Sequence, residues 1–370
     1  MVRILQVMGG MNRRGAESFI MNIYRKIDRS KVQFDFLVYS DEKQDFEDEI
    51  VSLGGRIIHM PCSSGVGAIK SVGMMCEVIR KYGPYKAIHA QTLMNIAYVW
   101  LAARKFPSVV RMAHSHNTRN RVVTSGVVKI YECIAKSIIR HYSQVMFACG
   151  EDAGLYLFGK RFRKEGIILK NGIDLDIHTK VNCDAIVAIK NKLGLNDKLI
   201  IGSVARFNEV KNHPFMLRIA SALKQQGVCF RMVFVGNGPN EHGIRKLTEE
   251  AGLHEEVVFA GLRSDITDIM HTLDVFLMPS HFEGNPVTLV EAQAAGLPCV
   301  ITDNITDEMD MGLGLIHKLS LSESADSWAS VIVEASKMRC NNETLIRKKI
   351  AACGFDAQST ANQLLNVYLK

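Results

Sequence analysis

The sequence predicts an α/β protein made of two doubly wound units, on three observations. Its 370 residues are more than one ordinary domain of ~100–200 residues needs, and they suit two. Short apolar runs alternate with amphipathic helical stretches, the pattern of parallel strands whose sheet is covered by helices on both faces. That alternation begins again near residue 199, so the plan is laid down twice. Composition agrees: 47% hydrophobic and 22% charged residues describe a soluble globular chain, and 8 Pro with 28 Gly are too few for disordered or linker-rich sequence.

Ile4–Met8 is an apolar run stopped by Gly9-Gly10, a buried strand followed by a loop. In residues 15–27, Phe19, Ile20, Ile23 and Ile27 recur at helical spacing. Phe34–Tyr39 follows as a strand, residues 42–53 as an acidic helix, and Arg56–Met60 as a strand ended by Pro61. A helix over 69–81, strand Ala87–Ala90, a helix over 94–105 and strand Val109–Ala113 continue the series. The second unit sets strands at Leu199–Val204, Phe230–Val235, Val257–Ala260, Val275–Met278 and Pro298–Thr302. Helices over 212–226, 240–251, 265–273 and 287–295 separate them, and residues 356–370 read as a terminal helix. The joint falls within 174–198, with residues 1–178 assigned to the first unit and 179–355 to the second. Doubly wound sheets bind ligands at the carboxyl ends of their strands, so the strand-to-helix loops should carry the site.

Nine cysteines, an odd number without a CxxC pair, fit the reduced thiols of a cytosolic protein better than a disulfide or zinc framework. The longest apolar stretch, Ile96–Ala103, is far short of the ~20 residues that span a bilayer. Gly9 and Gly10 interrupt the start too early for a signal peptide, so neither secretion nor a membrane span is expected. Charge is uneven: residues 1–178 carry +10 and the remainder −3. Arg104, Lys105, Arg111, Arg119, Arg121, Lys129, Lys136 and Arg140 cluster against Glu132 alone, and Lys160, Arg161, Arg163 and Lys164 form a second group. An anionic partner is expected for this half, nucleic acid or an anionic membrane leaflet, with Val122–Tyr131 as an amphipathic patch. No nucleic-acid recognition motif or aromatic platform accompanies the charges, which favours the membrane.

The segment richest in chemistry is 279–299, PSHFEGNPVTLVEAQAAGLPC. Glu283 and Glu291 bracket Gly284-Asn285-Pro286, where glycine lets backbone approach a ligand and proline suits the first turn of a helix. The amides at the start of that helix make a ready anion site. The string resembles the C-terminal signature of the retaining glycosyltransferases of family 4, in the branch that makes polysaccharides. That resemblance implies the GT-B fold, two Rossmann-like domains facing a cleft. It gives Glu283 the hydroxyls of a donor sugar, Glu291 the ribose of its nucleotide, and Gly284, Asn285, Pro286 and Val287 the sugar and diphosphate.

Further strings in family order extend the resemblance over nearly the whole chain. GGMNRRGAE matches the glycine-rich first loop at Gly9, Gly10, Gly15 and Glu17. GSVARFNEVKNH supplies Arg206 and Lys211, which by resemblance neutralise the diphosphate and stabilise the leaving group. FVGNGP places Gly236 and Gly238 near the nucleotide, and without GxGxxG after the first strand a hydride-transfer reading is weak. NGID opens the domain junction, and its Asp174-Leu175-Asp176 triplet imitates a metal–diphosphate motif. The family has no obligatory metal, so none is expected. AHSHN aligns His114 with a histidine beside the anomeric centre, with His116 as the alternate; His89 is read as structural or supporting, and Gln91 stands where relatives often have another histidine.

The reading is therefore a cytosolic, membrane-peripheral retaining transferase at the inner face of the cell membrane, with no cofactor and a UDP- or GDP-sugar as co-substrate. Its first domain takes a lipid-linked or oligosaccharide acceptor, and the final helix crosses back to that domain. His114, Glu283, Arg206 and Lys211 form the catalytic set. A sugar-nucleotide epimerase of similar architecture and a catalytically silent partner subunit are the competing readings.

Overall fold

A computed structural model describes residues 1–13, 15–117 and 126–370. The chain folds as two compact units, one of Met1–Gly172 with Asp356–Lys370 and the other of Ile173–Phe355. Residues 173–178, expected in the first unit, belong to the second. The Ile173 amide donates to the Phe355 carbonyl at 2.8 Å, and Ile173 and Leu175 are buried in the second unit's core.

In the first unit, strands β1 (Val2–Met8), β2 (Val32–Val38), β3 (Arg56–His59), β4 (Ala87–Ala90), β5 (Val110–Ser115), β6 (Val145–Ala148) and β7 (Ile167–Ile168) form one sheet in the order 3-2-1-4-5-6-7. Every pairing is parallel. The central strands are buried on both faces, and the polar residues they carry, Gln6 in β1 and Gln33 and Asp35 in β2, are buried with them. Ala68–Tyr82, Ile96–Ala103 and Gly126–Tyr142 pack on one face, around Trp100. Gly15–Lys26 and the terminal helix Ala357–Leu369 cover the other, where Ala361, Leu364 and Tyr368 enter the core beside Phe34 and Phe36.

The second unit repeats the plan with β8 (Leu199–Val204), β9 (Phe230–Val235), β10 (Val257–Gly261), β11 (Val275–Met278), β12 (Cys299–Thr302) and β13 (Ile316–Leu319) in the order 10-9-8-11-12-13, again all parallel. The chain reverses its direction of travel between β1 and β4 in one sheet and between β8 and β11 in the other. Crevices at such switch points are where this architecture binds ligands.

The acidic helix expected over 42–53 is shorter, Glu47–Ser52. Gln44 and Asp45 are committed instead to the loop after β1, accepting from the amides of Met11 (3.3 Å) and Arg13 (3.0 Å). All nine cysteines are free thiols. No helix among the described residues is long and apolar enough to cross a membrane. Arg119, Arg121 and residues 122–125 of the expected patch lie outside the described residues. Several other members of the basic groups are held within the unit: Lys136 pairs with Glu132 at 2.7 Å, Arg161 with Glu165, and Arg163 with Glu151.

Candidate functional site

The second unit collects most of its expected site residues on the two loops that flank its switch point. After β8 the chain passes through the exposed Arg206 to a short turn, Glu209–Lys211. Asn208 caps that turn, its side-chain oxygen accepting from the Lys211 amide at 3.2 Å. Asn212 takes a left-handed conformation (φ 55°), which asparagine tolerates better than most residues, and donates to the Pro279 carbonyl at 3.0 Å. The His281 amide donates to the Val210 carbonyl at 2.8 Å. These two bonds tie the loop after β8 to the loop after β11.

The consequence is a close ion pair. Lys211 Nζ lies 2.5 Å from Glu283 Oε1, with the two side chains only 19% and 10% exposed. Low exposure strengthens such a pair and orients both groups. Gly284, Asn285 and Pro286 then lead into the helix Val287–Ala294, whose start has no side-chain cap; the Leu289 amide donates to the Pro286 carbonyl at 3.0 Å, so the anion site of this terminus falls to the amides of Val287 and Thr288.

Gly236 and Gly238 serve the same loop system by letting it pack. A side-chain carbon at Gly236 (φ 135°) would stand 2.1 Å from the Ala205 carbonyl oxygen, and one at Gly238 2.3 Å from that of Phe207. The amides of Ala205 and Phe207 donate to Val235 and Asn237, each at 2.9 Å. FVGNGP is therefore zipped onto the segment that carries Arg206.

Glu291 lies one turn into the helix, 3.9 Å from His178 Nε2. Burial raises the Glu291 carboxyl to about 7 and lowers the His178 imidazole to about 4. His178 is held in turn by Thr267, whose hydroxyl lies 3.3 Å from Nδ1, and by His271, which donates from Nε2 to the His178 carbonyl at 3.0 Å. The sequence reading did not single out His178; its only signal was a histidine four residues beyond NGID. Asp174 and Asp176 are structural here: Asp174 accepts from the Asp176 amide at 3.0 Å, and Asp176 pairs with Arg347. Among the described residues, no group of three or more His, Cys, Asp or Glu is arranged to hold a metal ion.

In the first unit, Gly9 and Gly10 follow β1, Gln91 follows β4, and Gly15 with Glu17 open the helix Gly15–Lys26. A side-chain carbon at Gly10 would meet Gln44 Oε1 at 2.8 Å. Strand β5 runs on to Ser115, so His114 and His116 project to the same side, and their rings stack at 4.1 Å. His89 also stacks with His114, at 5.4 Å, and Phe19 meets both His114 and His116 edge-on. His114 is enclosed, 1% exposed, with neither ring nitrogen partnered among the described residues. Burial lowers His89 to about 3, His116 to about 4 and His114 well below the ordinary imidazole value, so the stack is uncharged at neutral pH. His116 Nε2 lies 2.7 Å from Gln91 Oε1, and His89 Nδ1 lies 2.6 Å from the Tyr368 hydroxyl.

The family described as glycosyl transferases group 1 matches residues 186–310, which hold Arg206, Lys211, Glu283 and Glu291. EpsF of Bacillus subtilis (strain 168), named as a glycosyltransferase, is 42% identical over 369 residues, covering 99% of this chain and 96% of its own. The capsular polysaccharide biosynthesis glycosyltransferase CapH of Staphylococcus aureus is 24% identical, covering 100% of this chain and 99% of its own. Among solved structures, Anabaena HepE in complex with UDP and glucose superposes with a TM-score of 0.78 at 17% identity, over 100% of both chains. The two parallel sheets flanked by helices are those of the GT-B fold, and the chain belongs to the group 1 glycosyl transferases.

Proposed function

We propose that the protein is a retaining, metal-independent glycosyltransferase of family 4, moving a sugar from a UDP- or GDP-sugar to an acceptor hydroxyl during exopolysaccharide or capsule assembly. The observation that carries this reading is the Lys211–Glu283 pair beside the uncapped start of Val287–Ala294, at the switch point of the second sheet. One loop system thereby offers a cation, a carboxylate and a set of amides, the groups a sugar diphosphate needs. Lys211, Arg206 and the backbone N–H groups of Gly284, Asn285 and Val287 stabilise charge developing on the departing diphosphate; a single such donor is worth about 3–4 kcal/mol in other enzymes. Glu283 accepts from sugar hydroxyls and Glu291 from the ribose.

No side chain of the second unit is placed as a nucleophile by these contacts. The acceptor hydroxyl attacks on the face from which the diphosphate leaves, and its proton passes to a phosphate oxygen as the glycosidic bond to phosphate breaks. The first unit contributes His114 or His116 to orient the sugar and binds a lipid-linked or oligosaccharide acceptor. EpsF, CapH and the UDP-and-glucose complex of HepE support the substrate class.

The test is thermal protection by a panel of UDP- and GDP-sugars, followed by NMR of the product's anomeric configuration and by turnover in EDTA. One nucleotide sugar should raise the melting temperature, and Glu291→Ala should abolish that shift. An inverted product, or activity lost in EDTA and restored by a divalent cation, would overturn the mechanism; conversion of donor without any acceptor would point to the epimerase.

Helix Gly126–Tyr142 supports a location at an anionic membrane. Val127, Ile130 and Ile134 form an exposed apolar stripe beside the exposed Lys129. Vesicles rich in anionic lipid should pellet the protein in a salt-sensitive way, and Ile130→Asp should release it; pelleting indifferent to lipid charge would remove the proposal.

A further inference from the structure

The histidine stack of the first unit ends in a hydrogen-bonded chain that the transferase reading does not use. It runs from His116 Nε2 to Gln91 Oε1 (2.7 Å), from Gln91 Nε2 to Gln6 Oε1 (3.2 Å), from Gln6 Nε2 to the Tyr368 hydroxyl (3.1 Å), and from that hydroxyl to His89 Nδ1 (2.6 Å). Gln6 is a fully buried amide in the middle of the apolar strand β1, Tyr368 is fully buried on the terminal helix, and Gln91 sits at the end of β4. A buried primary amide is costly unless both its ends are used. Here each glutamine donates with its nitrogen and accepts with its oxygen, so the chain has a direction.

Direction determines where the protons are. Gln91 presents its carbonyl oxygen to His116, and an oxygen can only accept, so His116 carries its proton on Nε2. Gln91 spends an N–H on Gln6, and Gln6 spends one on the Tyr368 oxygen. The Tyr368 proton is then left to donate to His89 Nδ1, which puts the His89 proton on Nε2. His116 is uncharged near neutral pH because burial lowers it to about 4, so it holds one proton and Nδ1 keeps a lone pair. That Nδ1 is buried and has no partner among the described residues. His114, which stacks with both, makes no hydrogen bond through either nitrogen among the described residues, so the chain defines the state of His116 and not that of His114.

We propose that Gln91, Gln6 and Tyr368 are positioning residues for His116: they hold it as the Nε2–H tautomer and present its Nδ1 lone pair to a sugar hydroxyl, which joins the terminal helix to the chemistry of the first unit. The presentation to a sugar rests on the transferase reading; the tautomer does not.

The experiment uses the full chain with 15N-labelled histidine. Long-range 1H–15N correlation spectra at pH 7.5 report the tautomer, and the His116 signals are identified by their loss in His116→Gln. The wild type should show His116 as Nε2–H. Gln91→Leu should release it into a mixture of tautomers, while Gln91→Glu, whose carboxylate also accepts from Nε2–H, should restore the pure form. Tyr368→Phe removes only the hydroxyl and should shift the His89 signals strongly and those of His116 measurably. In turnover assays, Gln91→Leu should lower kcat roughly tenfold or more with donor KM nearly unchanged, and Gln91→Glu should recover most of the loss. An Nδ1–H wild-type His116, or a tautomer indifferent to Gln91→Leu, would overturn the relay. The predicted tautomers in a protein that transfers no sugar would leave the relay standing and sink the transferase reading instead.

Discussion

At the scale of single residues, two kinds of glycine separate in the second unit. Gly238 is required by packing, because a side-chain carbon there would stand 2.3 Å from the Phe207 oxygen and 2.7 Å from its nitrogen, both backbone atoms that cannot swing away. Gly284 meets nothing within 4 Å, so any need for glycine there comes from the ligand. Gly238→Ala should therefore lower stability by roughly 3 kcal/mol or more, within the range of severe backbone clashes. Gly284→Ala should leave the melting temperature unchanged and weaken donor binding. Calorimetry with UDP and thermal melts of both variants would separate these outcomes, and a destabilised Gly284→Ala would remove the assignment. Glu291 adds a pH dependence. Its carboxyl titrates at about 7, and only the carboxylate accepts from two ribose hydroxyls at once. UDP affinity should fall as pH drops through 7, by up to about tenfold per unit, and Glu291→Gln should flatten that profile. A wild-type profile already flat between pH 8 and 6 would exclude the role.

At the scale of elements, what was legible followed burial. Ala87–Ala90, Leu199–Val204, Phe230–Val235 and Val275–Met278 match the observed strands because interior parallel strands are predominantly apolar, with at most a single His or Arg in these, and are cut off by loop residues. The edges were not legible. Strand β13, Ile316–Leu319, is half-exposed at every position and mixes His317 and Lys318 into its run, and β7 has two residues. The helices over 126–165 and 325–352 were missed for the complementary reason, since no recognised string or strand signal anchors them. The loops carrying Arg206, Lys211 and Glu283 were legible from their motifs, but the bonds from Asn212 and His281 that bring those loops together join residues 67 and 71 positions apart. Spacing could not show them. The terminal helix was read as a helix, while its Tyr368 contact to Gln6, 362 positions away, was invisible for the same reason. That helix should be integral to the first unit. Leu364 is fully buried in the core that contains Phe34 and Phe36, so Leu364→Ala should cost about 2–5 kcal/mol. Differential scanning calorimetry should show a lowered transition, and an unchanged thermogram would mean the helix is detachable.

At the scale of the whole molecule, both units bury uncharged histidines, and this makes the protein acid-sensitive within a defined window. Burial is the leading cause of each shift: His89 falls to about 3, and His116, His178 and His213 to about 4. A base whose folded pKa is depressed contributes stability that is fully present above its unfolded value, near 6.5, and is lost as pH falls from there toward the folded value. In the window from 6.5 to about 4 the unfolded chain therefore takes up protons that the folded chain refuses. Each costs about 1.4 kcal/mol of stability per pH unit. Glu291 works in the opposite sense. Its folded pKa is raised from 4.5 to about 7, so its contribution is present below the unfolded value and lost as pH rises through 7. One carboxyl thus offsets about one histidine, and the remaining imidazoles decide the sign. Melting temperature should hold nearly level from pH 8 to 7 and then fall progressively from pH 6.5 to 5. Melts at half-unit intervals in matched ionic strength check this, and a melting temperature that stays level down to pH 5 would show that these imidazoles protonate without unfolding. His213→Phe provides an internal control. The ring at 213 stacks on Phe207 at 4.4 Å, so phenylalanine preserves the stack while removing one proton site, and the acid slope of the second unit should decrease without loss of stability at pH 8.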